Sequence, residues 1–469
     1  MDLFPVFDAW AGWALLALYA GVALYLTNRY AAGFATDKES FLLARRDLDA
    51  KQGSLSIAAA WLWAPGLFIS AQQAYINGLV GLFWFCLGNF ITLGLFSIFA
   101  KKIRASQPDG FTMSGWIKQK FYGPAYWFYR VEMLLLAVCA FAINLIAGAT
   151  TVELLFGISY NYITIAMAAV ALLYAFRSGL KATVVTEIIK ILVVWFGVLL
   201  LVPLVVYNSG GLDTVISGLG GRTGAGSSII GTSFAWGVFT SFGITAFLGH
   251  LGGTWRDNSF FQRTFALKEG SIIPAFVGAS FVFIVIPLMM GVLGFVAAGS
   301  GMVIGDEFIG VTNAIVIAQF LPSPLVALFC FMVFAGLIAI LDSQMASITN
   351  LIGNDFAIPE QAISRARYAM VVLAILGVIL ANSGVTITQL FIFFSMMGAT
   401  LFIPSATAVF KPHFFTGNGL ALGLVVGLVS SMLIKYGMGL NFEATLVAVF
   451  GTPLVCKLAS YSETLENYG

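Results

Sequence analysis

Thirteen times along this chain a stretch of roughly twenty residues passes almost without charge, and that recurrence limits the fold more than any single motif. A helix rising about 1.5 Å per residue needs ~20 apolar residues to cross the hydrocarbon core, where only helices and closed barrels satisfy their own backbone. A barrel would alternate over segments of ~10 residues, and these runs do not. Charged residues make up 9% of the chain, against about 25% in a soluble domain. The sequence therefore describes an all-α integral membrane protein whose first partner is the lipid bilayer. The runs fall near 9–28, 54–78, 82–100, 125–156, 160–176, 183–207, 233–254, 273–298, 324–353, 366–382, 386–410, 418–436 and 441–459. A shorter segment, VTNAIVIAQFLPSPL, is expected to lie at the membrane interface.

Lysine and arginine orient the runs. With the first terminus outside, the segments after odd-numbered runs hold nearly all of the 23 basic residues, Arg256, Arg263 and Lys268 among them. Arg222 and Lys435 fall outside, and Arg130 and Lys190 within runs. Such cytoplasmic enrichment predicts about thirteen transmembrane helices, an outside N-terminus and a cytoplasmic C-terminus in a cell (inner) membrane. The net charge of +2 offers no basic surface for nucleic acid. The acidic opening MDLFPVFDAW is unlike a secretory leader, so no cleavage is expected. Cys86, Cys139, Cys330 and Cys456 each sit alone in an apolar run, with neither metal-ligand spacing nor a disulfide framework. Residues 208–232, rich in glycine and serine, read as a flexible outer loop. No GxxxxGK occurs, so ATP-driven transport is not expected.

Two runs carry interruptions. The second, SLSIAAAWLWAPGLFISAQQAYINGLVGLFW, holds Pro65 and Gly66 near its middle, then the polar Ser70, Gln72, Gln73 and Tyr75. The seventh, SFAWGVFTSFGITAFLGHLGGTW, holds Gly243, Gly249, Gly252 and Gly253. Five runs apart, the two cross the membrane in opposite directions. Discontinuous helices at corresponding places of two five-helix halves are the pattern of an inverted-repeat secondary transporter, with its solute at the midplane. The halves are drawn at 53–208 and 232–410, with 1–52 and 411–469 peripheral.

SIAAAWLWAPGLFISAQQAYINGLVGLFWFCLGN, GLKATVVTEIIK, RDNSFFQRTFALKEG and AGLIAILDSQMASITNLIGNDF together resemble the sodium/solute symporter family, over nearly the whole chain. They are most similar to its urea/polyamine branch. The resemblance implies a leucine-transporter-like 5+5 inverted repeat, and it makes RDNSFFQRTFALKEG the cytoplasmic segment after the sixth core helix.

An ionisable group at mid-bilayer costs ~2.5–3.5 kcal/mol on insertion scales. Glu187 and Lys190 stand one and two turns into the sixth run, share a face with Thr183, and are spaced to pair. The resemblance gives them a further meaning. In the family, sodium is held by carbonyls of the first core helix, here those of Leu55 and Ala58, and by two hydroxyls on the eighth. By register those hydroxyl positions are Ala339 and Ile340, which offer no oxygen. Lys190 stands where the family usually has glutamine, so its ammonium is expected to replace the ion, with Asp342 and Ser343 as neighbouring alternatives. Transport is then coupled to H+ or to no ion, with a displaced Na+ site at Asp342 the competing reading.

For the solute, Trp61 and Trp63 flank the first interruption, with Gln72, Gln73 and Tyr75 further outward. His250 sits in the second interruption, and Gln389, Phe391, Phe394 and Met397 lie across from it. Aromatic walls with a few amides suit a small polar solute. Ser343, Ser347 and Asn350 form a stripe that reads as interhelical glue or an exit path. No nucleophile–base constellation or metal motif appears, so no enzyme is expected. The expectation is a secondary active transporter of a small nitrogenous solute such as urea. A transporter-like sensor is the alternative, though no signalling domain follows within the 469 residues.

Overall fold

The computed structural model describes residues 4–31, 38–121, 123–176, 180–355 and 362–468. They form twenty α-helices and one isolated bridge between Leu48 and Leu267, without a sheet. In order these are α1 (Ala9–Ala31), α2 (Lys38–Leu43), α3 (Ala50–Trp61), α4 (Ala64–Ser106), α5 (Met113–Phe121), α6 (Pro124–Phe156) and α7 (Tyr160–Ala175). Then come α8 (Leu180–Asn208), α9 (Leu212–Ser217), α10 (Ser233–Val238), α11 (Ile244–Arg256), α12 (Asn258–Ala266), α13 (Ile272–Gly299) and α14 (Thr312–Phe320). The rest are α15 (Ser323–Asp355), α16 (Ala362–Ala381), α17 (Ile387–Phe410), α18 (Gly417–Met432), α19 (Asn441–Leu446) and α20 (Thr452–Tyr468). Among the described residues, ten helical segments are long and apolar enough to span a bilayer. Their outward faces carry exposed Phe196, Phe281 and Val429, as contact with acyl chains requires.

Helix α4 is two legs folded back on each other. Gly78, at φ +67° and ψ −151°, interrupts it in a conformation that side chains disfavour. Along the first leg, Gly66 lies against Phe283 and Ala74 against Gly294. Along the second, Leu82 meets Gly291, Phe90 meets Phe281 and Phe96 meets Phe276, so the chain returns down the same α13. The segment expected to be a flexible loop seals this reversal instead. Arg222 donates its backbone N–H to Tyr75 O at 2.6 Å, and Val80 donates to Gly226 O at 3.1 Å. The segment expected at the interface is likewise packed inside, for α14 is buried from Thr312 to Ala318 and Asn313 Nδ2 donates to Leu67 O at 3.0 Å.

The first expected interruption exists; the second, expected at Gly243–Gly253, does not, and the chain departs from helix only beyond it. The first is Leu62–Trp63, with Pro65 at the start of α4, where a missing N–H costs nothing. The N–H groups at the break are engaged: Leu62 N–H donates to Ala59 O, Trp63 N–H to Trp61 O and Ala64 N–H to Asn144 Oδ1. In the second, residues 244–256 form unbroken helix, preceded by a π-turn at Phe239–Gly243. The chain leaves the helix only at Asp257, whose φ is −94° and ψ 101°. Its carboxylate then caps α12 by accepting from Ser259 N–H at 2.8 Å. The glycines do not break α11; they let it touch α17. A Cβ on Gly252 would run into the backbone of Gly398, and one on Gly249 into Ser395. Most of RDNSFFQRTFALKEG is packed inside the protein: α12 is buried from end to end, while Lys268, Glu269 and Gly270 after it are exposed.

Candidate solute and coupling sites

The first interruption, α11 and α17 together line one cavity of about 30 Å³. A water needs about 10–15 Å³ on that measure, so the closed site has room for a few non-hydrogen atoms. Its walls are Trp61, Trp63, Phe391 and Phe394, and its polar lining is Asn89, His250, Arg256 and Ser395. The first interruption brings the tryptophans in, their ring centroids 6.3 Å apart. Phe394 meets Trp63 edge-on at 5.2 Å, and His250 lies 5.5 Å from Phe391. The close α11–α17 contact holds those rings at this distance.

Several polar groups are already committed. Trp61 Nε1 donates to Asn89 Oδ1 at 2.8 Å, and Asn89 Nδ2 donates to Phe85 O at 2.8 Å. Trp63 Nε1 donates to Ala60 O at 2.9 Å. His250 Nδ1 lies 2.6 Å from Ala246 O, which makes it the protonated nitrogen and leaves Nε2 as an acceptor.

Of the solute residues read from the sequence, Trp61, Trp63 and His250 share this cavity, and Gln72, Gln73, Tyr75 and Gln389 do not. Gln72 lines a wider cavity of about 500 Å³ with Tyr160, Asp306 and Thr388, and accepts from Thr388 Oγ1 at 3.1 Å. Gln73 accepts from Asn77 Nδ2 at 2.7 Å, and Tyr75 Oη donates to Met302 O at 2.9 Å. Gln389 is exposed and completes a capping box with Thr386 at the start of α17. Of the other three residues expected across the site, Phe391 and Phe394 belong to the cavity, while Met397 is buried outside its lining.

Ser56, five residues before Trp61 and so about 7 Å down the helix, enters a buried charge cluster. Glu187 and Lys190 do not pair with each other. Glu187 accepts from Ser56 Oγ at 2.5 Å and from Arg263 Nη2. Arg263 also bonds Ser56 Oγ, Ser343 Oγ and Ser259 O, each at 2.9 Å. Lys190 Nζ instead stands 3.4 Å from Asp342 Oδ2, which Thr186 Oγ1 approaches at 3.5 Å. Asp342 Oδ1 has no hydrogen-bond partner among the described residues. Two acids and two bases thus meet with side chains at most 6% exposed. Paired this way, they avoid the several kcal/mol that each lone buried ion would cost. Ala58, Ala339 and Ile340 are buried and Leu55 half-buried; the α15 side-chain oxygens that reach the cluster are those of Asp342 and Ser343. Below it, Asn258 Nδ2 donates to Ser347 O and Asn350 Oδ1, both at 3.0 Å, which joins α12 to α15.

Arg263 is the largest omission of the sequence reading, because lysine and arginine counts treat every basic residue between runs as cytoplasmic. Arg256, at the end of α11, is also fully buried and lines the cavity. Its partner Glu132 stands 3.7 Å away on α6. A carboxylate in the middle of an apolar run was the available signal for that pair.

A family model described as "Sodium:solute symporter family" matches residues 41–422. The urea-proton symporter DUR3 of Oryza sativa subsp. japonica is 24% identical over 301 residues, which are 59% of this chain and 42% of that protein. Probable urea active transporter 1 of Schizosaccharomyces pombe is 23% identical over 52% of this chain and 38% of its own length. The spermidine transporter DUR31 of Candida albicans is 26% identical over 50% of this chain and 44% of its own length. Each alignment thus covers less than half of the relative. Among solved structures, an outward-open sodium-coupled sialic acid symporter covers 96% of this chain and 97% of its own, at TM-score 0.80 and 13% identity. Inward-facing Mhp1 covers 88% and 90%, at TM-score 0.59 and 16% identity. At these identities the likeness is one of fold, and it agrees with the leucine-transporter-like arrangement expected from the sequence.

Proposed function

This chain belongs to the sodium:solute symporter family, a family of transporters rather than enzymes, and from that premise we propose that it carries urea or a similarly small amide by alternating access. In this reading the chain crosses the cell (inner) membrane thirteen times, with its N-terminus outside, its C-terminus cytoplasmic, and inverted repeats at 53–208 and 232–410. The cavity supports a small solute: about 30 Å³ between aromatic walls suits a molecule of a few atoms.

Coupling is to protons or to no ion. The observation that carries this is the filling of the charge cluster by the protein's own cations. Arg263 bonds Ser343 and Lys190 pairs with Asp342, so the oxygens that a sodium ion would need are engaged by guanidinium and ammonium. Arginine keeps its proton in proteins, whereas a buried lysine can release one. Lys190 with Asp342 is therefore the pair that titrates during transport. One observation favours sodium instead, since Asp342 Oδ1 lacks a hydrogen bond and could turn towards an ion.

Uptake of labelled urea into proteoliposomes with imposed gradients separates the two. Uptake that follows a proton gradient, or that needs no ion gradient and still shows counterflow, is expected. Strict dependence on a sodium gradient with indifference to pH overturns the coupling assignment, and binding without counterflow points to a sensor.

A further inference from the structure

Arg256 is a buried cation that the coupling cluster does not use. It is fully buried, forms part of the cavity wall, and donates Nη2 to Phe394 O. Its Nη1 is 3.7 Å from Glu132 Oε2, within ion-pair range but too far for a hydrogen bond. Neither Nη1 nor Nε has a hydrogen-bond acceptor among the described residues. The guanidinium fork thus keeps two donors in hand at the cavity's edge. Trp61, Trp63 and Asn89 already spend their polar groups on one another or on backbone. His250 retains Nε2 as an acceptor, with Nδ1 held by Ala246 O.

We infer that Arg256 is the specificity-determining residue of this site, giving its idle donors to the acceptor oxygen of a small neutral carbonyl solute whose N–H is taken by His250. The inference rests on the transporter reading and narrows its substrate class. Guanidinium and alkylammonium ions carry no acceptor and add a second positive charge beside Arg256, so they are rejected. Glu132 holds the local charge near zero, which favours a neutral amide over a carboxylate of the same size. A polyamine is excluded both by charge and by the cavity's volume of about 30 Å³.

Calorimetric titration of the purified full chain with urea, acetamide, acetate and guanidinium tests this without requiring transport. Wild-type protein is expected to bind urea and acetamide and to reject guanidinium. Arg256→Met is expected to weaken both amides by at least about tenfold. Arg256→Lys, which keeps the charge but loses the fork, should fall between the two and also reports that the site still folds. Glu132→Gln should raise acetate binding relative to urea, a shift that loss of packing alone would not produce. Binding of guanidinium as tight as urea, unchanged amide affinity in Arg256→Met, or no binding of any carbonyl probe overturns the inference. Amide binding in a protein that moves no urea in proteoliposomes fails the transporter reading and leaves the role of Arg256 standing.

Discussion

Two arginines, seven residues apart on either side of the Asp257 interruption, are equally buried and differently used. Arg263 bonds the Glu187 carboxylate, two hydroxyls and a carbonyl. Arg256 makes one hydrogen bond, to Phe394 O, and only a 3.7 Å ion pair to Glu132. A guanidinium with its donors satisfied fixes the relation of α3, α8, α12 and α15, whereas one with donors idle beside a cavity is poised to bind. The side chain is the same in both, and so is its burial. What differs is the number of acceptors that the neighbouring helices supply, and that number separates a strut from a recognition group.

Removing the strut should have the largest effect. Arg263→Met leaves Glu187 as a buried, uncompensated charge, which costs about 3–5 kcal/mol. A thermal-unfolding midpoint in detergent far below wild type is expected, and Arg263→Met/Glu187→Leu should recover part of the loss. Arg256→Met should fall less, because it forfeits one hydrogen bond and a longer 3.7 Å pair to Glu132, where the other forfeits several hydrogen bonds and a direct pair. Equal midpoints for the two single variants would break the distinction between them.

Lys190 extends the comparison to groups that can exchange a proton. Its pair with Asp342 is looser than that of Arg263 with Glu187, and lysine, unlike arginine, can become neutral. Lys190→Met should reduce proton-driven urea uptake to its rate without a gradient, while solute exchange across equal concentrations persists. Arg263→Lys should keep its response to the gradient, at reduced rate. If Lys190→Met still responds fully to the pH gradient, the coupling function lies outside this pair.

How much of this was legible in the residues depended on the range of the interaction. The apolar runs are local, and so is Pro65 just after Trp61 and Trp63; these marked the helical fold and the first interruption, while ten helical segments among the described residues, not thirteen, are long and apolar enough to span. The second interruption was misplaced because glycine weakens a helix in water, whereas in a membrane helix it also admits a neighbouring backbone, as Gly252 admits Gly398. Asp257 carries no such local mark. The partners of Lys190 and Arg263 lie 152 and 76 residues away in sequence, so spacing along one helix suggested Glu187 and Lys190 for each other when the tertiary fold joins them to different partners. His250 was found by composition, since a rare histidine in an apolar run stands out; Arg256 was hidden among basic residues assigned to the cytoplasm.

The smallest expected effect tests the same distinction at a polar residue outside the cavity. Gln389 lies two residues before the cavity residue Phe391 on α17, yet its side chain accepts from Thr386 N–H at 2.9 Å while Thr386 Oγ1 accepts from Gln389 N–H at 3.2 Å. Both groups are spent on the helix start, so they belong with Arg263 rather than with Arg256. Thr386→Ala should cost about 1 kcal/mol, and Gln389→Ala no more than about that, as for other caps. Neither should move the KM for urea uptake. A tenfold rise in KM for Gln389→Ala, with the unfolding midpoint unchanged, would put that amide on the solute's path and show that a completed hydrogen bond does not withdraw a group from binding.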